Sequence, residues 1–153
     1  MEKIQFDLDL QSLCKEAIET AFNFIKNNEK ETDVIYFFGT EEQKVSSTGV
    51  FYKINKNIVE LHEVNNALKK KVDNSNSNIS TLLNKNLDIL YNILTLFKQN
   101  NREIPTQIKI IYNIKENKLE IKLDYKFHFS NHKTKRPSDI FDEWINSIKL
   151  ESK

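Results

Sequence analysis

From Leu10 onward, apolar residues fall at Leu10, Leu13, Cys14, Ala17, Ile18, Ala21, Phe22 and Ile25. Steps of three and four put them on one stripe, so the spacing predicts a first helix. Asp7 or Asp9 offers an oxygen to cap its free N–H groups, and Asn27-Asn28 supplies an end. The pattern then changes. Val34-Ile35-Tyr36-Phe37-Phe38, closed by Gly39, and Val45 to Ile54 are rich in β-branched and aromatic residues and read as two antiparallel strands. Ile58 to His62 alternates more loosely and makes a third strand through an Asn55-Lys56-Asn57 turn. The polar run Asp73 to Asn78 has nothing to bury, and residues 72–79 read as a mobile loop.

Ile79 to Phe97 predicts a second helix with a wide apolar face and Ser80 as its cap. Beyond Pro105, Ile108, Ile110, Tyr112 and Ile114 share a face. After a turn at 115–117, Leu119, Ile121, Leu123, Tyr125, Phe127 and Phe129 alternate strictly with Lys118, Glu120, Lys122, Asp124, Lys126 and His128. A period of two with one apolar side predicts a hairpin covering a core. Lys133 to Pro137 breaks the pattern, and Ser138 caps a last helix to Ile148 that carries Ile140, Phe141, Trp144 and Ile145. The order α-β-β-(β)-α-β-β-α predicts a two-layer α+β fold with a mainly antiparallel sheet, one domain over residues 1–153.

Composition narrows the function classes. The single cysteine, Cys14, sits on the apolar stripe and reads as a core residue; alone it forms no intramolecular disulfide, which fits a reducing compartment. Two glycines and two prolines exclude glycine-rich phosphate loops and proline-rich linkers. No apolar run approaches about 20 residues and no signal-peptide core forms, so the sequence predicts a soluble, cytoplasmic protein with no membrane partner. The net charge of +1 conceals an asymmetry. Residues 1–43 hold four lysines against ten acids, −6, whereas the remainder holds nineteen Lys and Arg against twelve acids, +7. An acidic segment of this kind can steer a partner of opposite charge, unless folding brings the two sections together.

Candidate chemistry is sparse. His128 and His132 are four apart at a predicted strand end, where that spacing does not place both on one face, and no third metal ligand lies near. His62 in Glu60-Leu61-His62-Glu63 sets a carboxylate beside an imidazole on a surface strand. No G-x-S-x-G elbow occurs, and Glu41-Glu42 and Asp142-Glu143 lie in polar runs without the apolar pocket that raises a catalytic carboxyl. With twenty-one lysines, two arginines and no net basic excess, the composition argues against nucleic acid as a partner. Tyr125, Phe127 and Phe129, beside Lys133, Lys135 and Arg136, are read as core rather than as a base-stacking platform. The sequence points to no enzyme, no cofactor, no metal and no small-molecule substrate.

The arrangement resembles the YezG-like immunity proteins, cytoplasmic antitoxins of bacterial polymorphic toxin systems. The likeness rests on an amphipathic first helix followed by Asp33-Val-Ile-Tyr-Phe-Phe38 and Gly49-Val-Phe-Tyr52. It continues through Lys98-Gln-Asn-Asn-Arg-Glu-Ile-Pro-Thr106 closing the middle helix, a hairpin ending in Leu123-Asp124-Tyr125, and a last helix with Phe141 to Trp144. The resemblance implies a protein that binds a cognate secreted toxin domain, a nuclease in many such systems, and occludes its active or substrate-binding surface. Such a protein needs a complementary surface rather than a catalytic site. For a basic toxin, the expected contacts are Glu29, Glu31 and Asp33 before the first strand and Glu41 and Glu42 after it, with Tyr36 and Tyr52 as anchors. The same sequence also suits a non-enzymatic interaction protein of a phage or mobile element that binds a host enzyme. A third class, an enzyme assembled from distant residues, would depend on His62 or His128.

Overall fold

The computed structural model describes residues 2–151. In chain order the elements are α1 (Glu2–Phe24), β1 (Thr32–Glu42), β2 (Val45–Ile54), β3 (Asn57–Glu60), a 3-10 turn (Leu61–Glu63), α2 (Val64–Ala67), α3 (Asn76–Gln99), β4 (Gln107–Asn113), β5 (Lys118–Asp124) and α4 (Pro137–Glu151). The five strands form one antiparallel sheet in the order β3-β2-β1-β4-β5, so the protein is α+β. No helix among the described residues is long and apolar enough to cross a membrane.

Both short hairpins turn on residues with positive φ, Gln43-Lys44 and Asn55-Lys56, which is the backbone a two-residue turn needs to match strand twist. The two glycines serve packing instead. A Cβ on Gly39 would come within 2.8 Å of Leu90 in α3, and one on Gly49 within 2.6 Å of the Phe141 ring in α4. The glycines therefore let helices approach the sheet from opposite sides.

That geometry corrects the two-layer expectation. α1 and α3 cover one face, where Ile35, Phe37, Val50 and Tyr52 meet Cys14, Ala17, Ile89, Leu90 and Ile93. On the other face α4 packs Ile140, Trp144 and Ile145 against Val34, Tyr36, Phe38 and Phe51, making a third layer. A strand covered on both sides has no polar face, hence the unbroken apolar run from Val34 to Phe38.

Several boundaries also differ from the sequence reading. α1 begins at Glu2, not near Asp7 or Asp9, because buried Phe6 extends the stripe a turn earlier; Asp9 accepts from Gln5 Nε2 within the helix. Residues 72–79 are built in rather than free. Asn65 both donates to Val72 O and accepts from Val72 N, Asp73 accepts from Ser75 N, and Ser75, not Ser80, caps α3 through Asn78 N. β3 stops at Glu60 and His62 lies on the 3-10 turn. β5 stops at Asp124, where the chain leaves the sheet to reach the α4 face. Phe129 is then buried against α4, whereas Tyr125 and Phe127 are exposed. The last helix starts with Pro137, and Asp139, not Ser138, accepts from Arg136 N at its entry.

Candidate functional site

The seven expected contact residues do not form one surface. Glu29, Glu31 and Asp33 lie at the start of β1 and Glu41 and Glu42 at its end, roughly 26 Å apart along an extended strand. Tyr36 is buried, stacked on Phe51 with centroids 4.3 Å apart and edge-on to Trp144. Tyr52 is fully buried, and its hydroxyl donates to Ala21 O at 2.7 Å. Neither tyrosine reaches a partner, and burial pushes both phenols up, Tyr36 to about 12.

At the start of β1, Glu31 is a clamp. Its carboxylate accepts from Lys69 N (2.7 Å), Lys70 N (3.2 Å), Asn28 Nδ2 (2.6 Å) and Asn55 Nδ2 (2.9 Å), joining three loops. These bonds, that of Lys69 foremost, bring the carboxyl down from 4.5 to about 2. The groove beside it is lined by Lys26, Lys30, Lys70 and Lys71, and Lys115 Nζ donates to Glu29 O, so folding sets lysines against the acids of this end. Because the folded carboxyl titrates below its unfolded value, the clamp is fully present above about pH 4.5 and is lost as the pH falls toward about 2. Glu31→Gln should therefore lower the neutral-pH melting temperature and flatten its fall between those pH values, as followed by circular dichroism melts.

At the other end of β1, Glu42 is only 1% exposed. One oxygen accepts from His128 N (2.8 Å); the other accepts from Phe129 N (3.3 Å), Ser130 N (3.0 Å) and Ser130 Oγ (2.7 Å). Burial opposes its charge, but these donors outweigh burial and hold the carboxyl below its ordinary value. Reversing Glu42 thus tests folding, not steering. Glu41 stays half-exposed and accepts from Ser46 Oγ at 2.6 Å.

Around Glu41 the fold gathers what the sequence reading overlooked. Strand register brings Val45, Thr106 and the chain after Asp124 to this same end of the sheet. Thr106 Oγ1 donates to Lys126 O, fastening the 104–106 loop to the 125–127 segment. Tyr91 on α3, Ile104, Leu94 and the stem of Lys98 line a groove of about 590 Å³ beside Glu41. Tyr91 is 70% exposed, and Val45, Ile104, Tyr125 and Phe127 are all exposed as well. Single exposed apolar residues are ordinary, but Tyr91 and Ile104 share one groove with Leu94, rimmed by Glu41 and Lys98, an arrangement of the kind that docks proteins. The available signal was surplus: α3 carries more apolar residues than one sheet-facing stripe accommodates.

The remaining chemistry is dispersed. Cys14 is buried and its thiol is pushed up to about 12. His128 Nε2 lies 3.3 Å from Asp124 Oδ2, while His132 is exposed in the following loop. Glu60, His62 and Glu63 bring one ligand atom each within 4.8 Å of the others, a donor set chemically suited to a divalent cation. Glu63, however, already accepts from Glu60 N at 3.0 Å, and the group serves as the stabiliser of its own 3-10 turn.

Comparison with known proteins finds neither a family model nor a curated protein that matches the chain.

Proposed function

We propose that the chain is an immunity protein that binds a cognate secreted toxin domain of the nuclease class and occludes its active or substrate-binding surface. One observation carries the reading: the open groove of Tyr91, Leu94 and Ile104 beside Glu41, at the end of a sheet covered by helices on both faces. Aromatic and aliphatic side chains in a groove are the anchors of tight interfaces, and the charged rim sets orientation and association rate. The interface is centred on Glu41, with Tyr91 and Ile104 in the anchoring role expected from sequence of Tyr36 and Tyr52. The resemblance in element order supplies the partner class.

The test is affinity isolation of the tagged protein from its own cells at moderate salt, followed by co-expression. The expected result is one stoichiometric toxin-like domain whose lethality the protein suppresses. The double variant Tyr91→Asp/Ile104→Asp, shown to be folded by circular dichroism, should bind that domain about a hundredfold more weakly and fail to protect. Recovery of a housekeeping enzyme overturns the toxin assignment, and full protection by the double variant overturns the surface.

A further inference from the structure

β5 ends the sheet on one side, and among the described residues its outer edge meets no strand. At every second residue such an edge turns its N–H and C=O outward, a template for another strand. Edges are commonly blunted by charged residues, lysine above all, by proline, by a bulge or by short length. β5 lacks the last three, running without proline from Lys118 to Asp124 in unbroken register with β4 over all seven pairs, and its charges alternate in sign rather than repel as a single-sign row.

Its sequence is complementary to itself. When a second copy of the strand is laid antiparallel, with a twofold axis at Ile121, Lys118 meets Asp124, Glu120 meets Lys122, Leu119 meets Leu123 and Ile121 meets its own copy. Both charged pairs are opposite in sign and each occurs twice. Moving the axis to Glu120 sets Lys118 against Lys122 and Glu120 against itself; moving it to Lys122 sets Glu120 against Asp124. An axis between residues mixes the polar and apolar faces. Axes at Leu119 or Leu123 also match opposite charges, Lys118 with Glu120 or Lys122 with Asp124, but overlap only three residues of the strand; the axis at Ile121 alone pairs all seven with both faces matched.

The apolar row gives the pairing a reason. Leu119, Ile121 and Leu123 remain half-exposed at the rim of the core. Beside them Ile18 and Phe22 of α1, Tyr112 of β4 and Leu119 line a groove of about 460 Å³. In the favoured register the second copy's Leu123 stands next to Leu119 at the mouth of this groove. We propose that the chain self-associates as a twofold dimer through β5, joining two five-stranded sheets into one continuous sheet. This inference is independent of the toxin reading.

Charge exchange tests it. Glu120 and Lys122 are both exposed and lie 3.3 Å apart along their own strand, so changing them leaves the monomer's core untouched. Glu120→Lys sets lysine against Lys122 twice per dimer, and Lys122→Glu sets glutamate against Glu120 twice. By sedimentation equilibrium each single variant should raise the dissociation constant about tenfold or more, and the double variant Glu120→Lys/Lys122→Glu should restore it. Matching circular dichroism melts confirm a common fold. A wild-type chain monomeric up to millimolar concentration, a dimer indifferent to either single change, or a double variant that stays dissociated would each overturn the proposal.

Discussion

Replacing Trp144 with alanine should lower stability by about 3–5 kcal/mol and release α4 from the sheet. Trp144 is the hub of the smaller core. Its ring stands edge-on to Tyr36 (5.7 Å, 84°) and Phe51 (5.0 Å, 79°) and tilts over Phe38 (6.2 Å), and it is 6% exposed. Lys109 Nζ lies 5.0 Å from the ring centroid on a side chain whose charge burial disfavours, so the aromatic face replaces part of its lost water. Ile140, Phe141, Ile145 and Ile148 of α4 gather around it on the same face. Truncation leaves a void that Ile140 and Ile145 cannot fill. Urea unfolding followed by far-ultraviolet circular dichroism should show the loss, and Trp144→Phe, which keeps a ring in place, should lose less than half as much. Equal stability of Trp144→Ala and wild type would mean that α4 is dispensable to the fold.

Glu42→Ala should lower stability by about 3 kcal/mol, because three backbone N–H groups and one hydroxyl lose a charged acceptor at a buried position. Glu42→Gln separates charge from shape: one oxygen can still serve Phe129 and Ser130, but the amide nitrogen would face the His128 N–H, so about half the loss is expected. The sign with pH follows. A carboxyl held low in the folded state contributes stability above its unfolded value and loses it as acid protonates it, so the wild-type advantage over Glu42→Gln should shrink on acidification. The change should also free residues 125–130, detected as faster hydrogen exchange there than in β4. Unchanged exchange would mean that Phe129 alone pins the segment.

Regular elements were legible where one periodicity persisted, as in the stripe from Leu10 to Ile25 and in β4 and β5 as far as Asp124. Reading failed where a side chain answered to something distant. Phe129 continues the alternation of β5 yet belongs to the α4 core, since the chain must cross from one face of the sheet to the other. Tyr36 and Tyr52 looked like anchors because an aromatic in a strand carries no mark of how many faces are covered. Glu31 and Glu42 looked like partner-facing acids because nothing local shows that backbone N–H groups from residues 69–70 and 128–130 will converge on them. The groove at Tyr91 is not legible because its residues come from three segments, the end of β1, α3 and the loop before β4, which only the fold brings together.

The strand order also governs how the chain is made. β1 can pair with β2 once their hairpin has left the ribosome, but its other edge waits for Gln107 to Asn113, and the surface of Tyr36, Phe38 and Phe51 waits for α4, which follows all five strands in the chain. Throughout the translation of α3, the most deeply buried strand of the finished fold therefore travels with one bare edge and one bare face. That interval is when the nascent chain is most exposed to aggregation, and when chaperone capture matters most.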